Sequence, residues 1–298
     1  MTAVRILAPA KVNLRLDILA REESGFHQLE TVFCLLHLAD EIDVEPDRSS
    51  ITLEVDGPDL GAPEQNLAFR AAAAFRAAAG RDAGARLVLR KRIPAGAGLG
   101  GGSSDAAATL RALNSLYPSR VPQPALARIA AGLGSDVPFF LSGAELALAW
   151  GRGDRLFPLP PLPARPALVA VPPFPSPTAE AYRALADSRR GLPPQPRPTL
   201  LSLTDLADWQ IIAARASNDF EPVLFSRMPS LAAARAALAR TGAFLARLSG
   251  SGSALFALYD DVVARDAAIR SLAPEYPDYR FIPTSTGAPG AQIGRAHV

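Results

Sequence analysis

IPAGAGLGGGSSDAA, residues 93–107, places five glycines in the seven positions 96–102 and then runs into two serines, an aspartate and alanines. Glycine at that density loses much chain entropy on folding, so the backbone there must adopt dihedrals, or accept a close approach, that a side chain forbids. Upstream, ARLVLRKRI alternates like a strand. Downstream, SDAAATLRALNSLY repeats apolar residues at helical spacing, with Leu110, Leu113 and Leu116 on neighbouring faces. A strand, a glycine loop and a helix start leave several backbone N–H groups unpaired and aim the positive end of a helix dipole at one point. An anion, most often a phosphate, is the guest such a loop takes.

The surrounding chain sets limits on that reading. Its 298 residues suffice for two domains, by the guide of about 150 residues each. A formal net charge of +2 and scattered arginines lack the basic, aromatic-interleaved stripe of a nucleic-acid surface. Alanine, arginine and proline dominate, and lysine occurs only as Lys11 and Lys91. In a chain that otherwise uses arginine, two ammonium groups call for a chemical reason. Cys34 sits in the apolar run VFCLLHL and reads as a buried thiol without an internal disulfide partner. No stretch approaches the roughly 18 apolar residues of a membrane span, and the N-terminus lacks a charged-then-apolar signal. A cytoplasmic protein with no membrane partner is expected.

VRILAPAKVNLRLDIL reads as two strands around a Pro-Ala corner, SGFHQLETVFCLLHLADEIDVEP as a turn and further apolar runs, and ITLEVDG as a strand. NLAFRAAAAFRAAAG predicts a helix ending at Gly80. PALARIAAGLGSDVPFFLSG predicts another, closed by Gly132 and Gly134, then a turn and a short apolar strand. ELALAWGRGDRLFPL reads as a hairpin. Proline then dominates from Pro158 to Pro177, broken by the strand ALVAV. This places a domain boundary near residue 155, giving units at 1–155 and 156–286. SRRGLPPQPRP reads as a surface loop, helices are expected near 218–227 and 230–241, and LSGSGSALF is a second glycine-serine turn feeding a strand. A last helix and the strand YRFIP follow, and residues 287–298 lack a pattern and are expected to be a disordered tail.

Several phosphate loops compete for residues 93–107. A Walker A loop needs Lys-Ser/Thr after its last glycine, which is missing. Gly96, Gly98 and Gly101 fit G-x-G-x-x-G, but no clear second strand with an acidic residue follows. H-R-D and D-F-G are missing, which excludes a protein-kinase loop. A glycine-rich surface turn is the plain alternative.

P-x-G-x-G-L-G-G-G-S-S-D-A-A most closely resembles the ATP loop of the GHMP superfamily of small-molecule kinases, which includes galactokinase, homoserine kinase and mevalonate kinase. APAKVNL at 8–14 and LSGSGSALF at 248–256 resemble that superfamily's first and third motifs, in the expected order. Within it, APAKVNLRL, SGFHQLETVF, GSDVPFF and NDFEP resemble the branch that phosphorylates a cytidine-diphosphate-linked polyol of the non-mevalonate isoprenoid route, over about residues 5–260. The resemblance implies two α/β (α+β) domains with the active site in the cleft between them. The first would resemble domain 2 of ribosomal protein S5, and the second would be ferredoxin-like.

The resemblance also implies roles. Pro94, Ala95, Gly96, Ala97, Gly98, Leu99, Gly100, Gly101, Gly102, Ser103 and Ser104 would cradle ATP, and the Ser103 or Ser104 hydroxyl would be available to Mg2+, its ligands otherwise unknown. Both serines are also good helix caps. Asp136 in GSDVP would be the catalytic carboxylate, with Lys11 its ammonium partner beside the acceptor oxygen. Taken alone, Asp136 is a turn residue ahead of a proline and Lys11 a solvated strand lysine. Lys91, Asn66 and Asp105 would belong to the ATP site, the first two by the adenine, though Asn66 equally suits a helix cap and stabilisation of the helix start alone would account for Asp105. Asn13 would bond the polyol and His27 the cytosine edge. Phe26 and Tyr182 would stack on the pyrimidine, and Thr178, four residues before Tyr182, would also bind the substrate, although Tyr182 also suits a helix core. Asn218, Asp219 and Glu221 are explained by capping and packing. The implied partner is a small molecule, with no nucleic acid, on a monomer or weak dimer. A kinase of the same superfamily acting on homoserine, mevalonate or a sugar is the near alternative. An S5-like RNA-binding module is the distant one, and near-neutral charge disfavours it.

Overall fold

The computed structural model describes residues 3–22, 27–47, 49–80, 82–117, 121–190, 202, 204–290 and 293–295. In chain order its elements are β1 (Val4–Arg21), β2 (His27–Asp47), β3 (Ile51–Asp56), α1 (Leu67–Ala79), β4 (Gly84–Arg90), α2 (Gly101–Leu116), α3 (Gln123–Leu133), α4 (Val137–Ser142), β5 (Leu146–Gly151) and β6 (Arg155–Leu159). Then follow β7 (Pro166–Val171), α5 (Thr178–Ser188), α6 (Trp209–Ala214), α7 (Glu221–Arg227), α8 (Pro229–Arg240), β8 (Leu245–Leu248), β9 (Leu255–Leu258), α9 (Val262–Leu272), β10 (Arg280–Ser285) and β11 (Ile293–Arg295).

The first sheet is built around β1 and β2, which pair antiparallel over nearly their full lengths. β2 has two partners besides β1: Leu29–Cys34 pair with β5, and Glu41–Asp47 pair with β4. The sheet therefore forks at residues 35–40 of β2. Helices α1 to α4 cover one face through a core that includes Phe33, Phe75, Leu87, Leu110 and Phe139. Phe33 and Phe139 stack at 4.8 Å between centroids. The second sheet runs β10-β7-β9-β8 and is antiparallel throughout. Its strands, numbered by their own order, run 4-1-3-2 with helices after the first and third, which is the ferredoxin-like β-α-β-β-α-β arrangement. Another core cluster, with Val12, Leu14 and Val32 on one side and Val169, Phe256 and Leu258 on the other, joins the two sheets. The chain passes from the first sheet to the second between Leu159 and Pro166, slightly beyond the expected boundary at 155.

Three expectations change. The Pro-Ala corner is absent, because β1 is a single strand that absorbs Pro9 in an irregularity between Pro9 and Lys11. A bulge tolerates the missing N–H and re-aims the next side chain; the freed Lys11 N–H donates to Leu99 of the glycine loop at 2.9 Å. VPFFLS is a helix, not a strand, with Pro138 in its first turn and Gly143 ending it at φ +73°. A six-residue apolar run does not distinguish the two by periodicity. Finally, residues 293–295 of the expected disordered tail form β11, which extends the first sheet beside Val4–Ile6. The proline-rich loop expected at 188–198 lies, beyond residue 190, outside the described residues. No described helix is long and apolar enough to cross a membrane.

Candidate active site

The register shift between Asn13 and Arg15 divides the polar residues of β1: Lys11 and Asn13 pair with Leu35 and Phe33 on one face, and Arg15 and Asp17 pair with Val32 and Glu30 on the other. Both faces are buried, the polar four at 4%, 2%, 5% and 6% exposure. Buried charged groups need partners or a ligand. These find both. Lys11 Nζ donates to Asn13 Oδ1 at 2.7 Å, stands 3.3 Å from Asp136 Oδ2 and lies 5.2 Å from the centre of the Phe33 ring. Asn13 Nδ2 donates to Thr31 Oγ1, whose hydroxyl bonds the Arg15 carbonyl. Arg15 and Asp17 pair with each other at 2.5 Å. Asp136 precedes α4 but makes no side-chain cap to it, so its carboxylate is left to Lys11 and the cavity.

That cavity, about 630 Å³, is lined by Lys11, Asn13, Asp136, Asn66, Lys91, Asp105, Thr178, Tyr182 and all of residues 94–103. The fold thus gathers groups distant in sequence around one space. Glycines 96, 98 and 100 all have positive φ, at +66°, +78° and +73°. The LSGSGSALF turn closes on them, with Ser249 Oγ donating to the Gly98 carbonyl at 2.9 Å and Ala254 N–H to the Ala97 carbonyl at 3.1 Å. Asn218 holds that turn from behind by donating to the carbonyls of Leu248 and Gly250. The second sheet therefore supplies part of the loop's wall.

A Cβ on Gly98 would stand 2.2 Å from the Ser249 carbonyl oxygen, whereas one on Gly96 would meet nothing within 4 Å. Gly98→Ala is therefore expected to lower stability by about 1–3 kcal/mol through overpacking, added to the left-handed backbone penalty that its φ of +78° shares with Gly96, and to raise KM for the loop's ligand at least about tenfold. Gly96→Ala should show only the left-handed backbone penalty of about 1–2 kcal/mol. Denaturant midpoints and nucleotide KM for the two variants check the contrast.

The remaining predicted residues fall as follows. Asn66 caps α1 by accepting from Ala68 N–H at 2.9 Å and also lines the cavity. Ser104 is buried, and its Oγ has no hydrogen-bond partner among the described residues. The Lys91 ammonium is not turned to an open face: it pairs with Asp40 and, at 2.8 Å, with Asp105. Burial raises the Asp105 carboxyl above the usual carboxylate range, with Lys91 opposing and Asp40 adding to the rise. His27 and Tyr182 stack ring on ring at 4.6 Å with a 32° tilt, and Tyr182 meets the edge of Phe220. Tyr182 is pushed up to about 12 by burial and by the charge of Asp136, so its phenol stays protonated. Thr178 Oγ1 lies 3.0 Å from Ser251 Oγ. Phe26 lies outside the described residues. Burial likewise pushes the Cys34 thiol up to about 12 and leaves it unreactive.

Sequence reasoning missed Thr31, Asp40 and Arg152. Thr31 and Asp40 have buried side chains on β2, and Arg152 follows β5 and lines the cavity. Only alternation along β1, with polar residues in every second place, hinted that the opposite strand would need hydrogen-bonding partners.

A glycine loop entering a helix, walled by a turn from a second, ferredoxin-like sheet and facing a lysine-aspartate pair, defines a GHMP kinase. Residues 66–144 match the GHMP kinases N terminal domain and residues 200–278 match the GHMP kinases C terminal domain. The 4-diphosphocytidyl-2-C-methyl-D-erythritol kinase of Pelotomaculum thermopropionicum is 43% identical over 278 residues, covering 90% of this chain and 93% of its own. A crystal structure of 4-(cytidine 5'-diphospho)-2C-methyl-D-erythritol kinase superposes with a TM-score of 0.79 at 40% identity, covering 95% of this chain and 99% of the other. Homoserine kinase from Cytophaga hutchinsonii shares the fold, with a TM-score of 0.69 at 18% identity over 99% of this chain and 98% of its own. The chain belongs to the 4-diphosphocytidyl-2-C-methyl-D-erythritol kinase family, and it is a phosphotransferase.

Proposed function

We propose that this chain transfers the γ-phosphoryl group of ATP to the 2-hydroxyl of 4-diphosphocytidyl-2-C-methyl-D-erythritol. The observation that carries this reading is the 3.3 Å approach of Lys11 Nζ to Asp136 Oδ2 in the cavity that the glycine loop also lines. Phosphoryl transfer asks the protein chiefly for positioning and charge compensation. Residues 94–104 hold the triphosphate by backbone N–H groups and the α2 dipole. Asp136 accepts the proton of the attacking hydroxyl as its oxygen bonds to the γ-phosphorus and the bond to the β-phosphate oxygen breaks. Lys11 stands beside Asp136 and stabilises negative charge on the acceptor oxygen. Asn13, aligned by Thr31, orients the polyol.

Mg2+ belongs to this reading as the ion that ATP carries. It prefers phosphate oxygens, water and few protein ligands, and no cluster of three His, Cys, Asp or Glu occurs among the described residues. The buried, unpartnered Ser104 hydroxyl and that of Ser103 fit such a sparse role. Bound there, the ion would neutralise phosphate charge.

The cytidine end is read at His27 and Tyr182, with Phe26 as the other aromatic. Base–aromatic stacking is worth about 1–3 kcal/mol, so Tyr182→Ala should raise KM for the acceptor roughly 5- to 150-fold. KM for ATP should hold, and Tyr182→Phe should behave as the wild type. The reading takes a small molecule as partner, needs no second subunit and places the protein in the cytoplasm. ADP release with the cytidylylated polyol, homoserine, mevalonate and galactose tests the acceptor. A kcat/KM at least about a thousandfold higher for the polyol supports the reading, and comparable turnover of any other overturns it.

A further inference from the structure

The buried group of Asp40, Lys91 and Asp105 is not used by the transfer step. Their side chains are 0%, 4% and 2% exposed. Each comes from a different segment: Asp40 from the fork in β2, Lys91 from the end of β4, and Asp105 from the first turns of α2. The glycine loop begins just after Lys91 and ends just before Asp105. Asp40 Oδ1 also accepts from the Arg92 and Ile93 N–H groups at 2.5 and 2.8 Å, while its Oδ2 holds the ammonium. A Cβ on Gly101 would lie 3.1 Å from Ile93 Cγ2 and 3.3 Å from Lys91 Nζ, so the loop's exit rests directly on its entry. Charges this deeply buried are retained against a desolvation penalty that apolar residues would avoid.

We propose that Asp40, Lys91 and Asp105 are positioning residues: a buried clamp that ties the two ends of the glycine loop together and so fixes where its N–H groups meet the ATP phosphates. Lys91 acts through this clamp, not on the adenine ring. The proposal rests on the reading of the loop as an ATP site. A loop pinned at both ends is ordered before ATP arrives, and a loop that must be ordered by ATP binds it more weakly.

Lys91→Met alone leaves two buried carboxylates facing each other and is expected to fold poorly. Asp40→Asn/Lys91→Met removes one charge of each sign and keeps an oxygen to accept from Arg92 and Ile93. The double variant should retain the wild-type circular dichroism spectrum and a cooperative thermal transition. Its KM for ATP should rise about tenfold or more, with kcat within threefold and KM for the acceptor unchanged. Asp105→Asn in the otherwise wild-type chain, which keeps Lys91 and an acceptor for it, should leave KM for ATP within threefold of the wild type. An unaltered KM for ATP in the folded double variant would reduce the cluster to a stability feature. A changed preference for ATP over GTP would return Lys91 to the adenine. Calorimetric binding of a non-hydrolysable ATP analogue makes the same comparison without turnover. Weaker binding by the double variant then supports the clamp and equal binding overturns it, even if the wild type proves inactive on the proposed acceptor.

Discussion

Asp136→Asn should lower kcat for ADP release about a hundred- to ten-thousandfold, the range for loss of a positioned general base, while the affinity for ATP holds. The expectation follows from where the carboxylate stands. It neither caps α4 nor pairs with any phosphate-loop residue, and its described ionic contact is Lys11 Nζ at 3.3 Å. Asparagine keeps the shape and still accepts from Lys11, so the fold should be little affected. Its side chain is 30% exposed, which further limits any stability change. Stopped or steady-state ADP release, set beside calorimetric nucleotide binding, separates the two quantities. Turnover within threefold of the wild type would remove Asp136 from the mechanism.

Lys11→Met carries the second large effect. Methionine fills nearly the same buried space but removes the charge that would face a developing alkoxide, a loss expected to lower kcat about a hundred- to a thousandfold. Unlike Asp136→Asn, it should also destabilise. Asn13 Oδ1 loses its 2.7 Å donor, and a buried acceptor left unpaired costs about 1–3 kcal/mol. Thermal unfolding should therefore fall by several degrees for Lys11→Met and by little for Asp136→Asn. KM for ATP should hold in both. A large rise in KM for ATP with kcat preserved would make Lys11 a phosphate contact instead of a partner to Asp136.

Much of this arrangement was legible in the chain. The glycine loop, its flanking strand and helix, the hairpin at 146–159 and the LSGSGSALF turn follow from local backbone chemistry: glycine conformations, period-two and period-3.6 patterning, and caps such as Asn66. Lysine's scarcity marked Lys11 and Lys91. The resemblance anticipated that Lys11 would meet Asp136, but local patterning showed neither that meeting nor the burial of Lys91 between two carboxylates. Lys11 meets Asp136 because an irregularity at Pro9 turns it into the cavity, and bulges leave no composition signal. Lys91 meets Asp40 because β2 forks between β4 and β5, a feature of long-range strand pairing that no local window contains. The helix α4 escaped because six apolar residues are too few to show a period. The strand β11 escaped because three residues without alternation form only where a free sheet edge is offered.

Whether Lys11 and Asp136 direct the γ-phosphoryl group to one hydroxyl is read from the proton-coupled 31P spectrum of the product formed from ATP and the cytidylylated polyol. C2 of that polyol bears no hydrogen, so transfer to its 2-hydroxyl predicts a phosphomonoester singlet beside an intact diphosphate and an equal amount of ADP. A phosphomonoester split by carbinol protons, or ADP formed with inorganic phosphate alone, would contradict it.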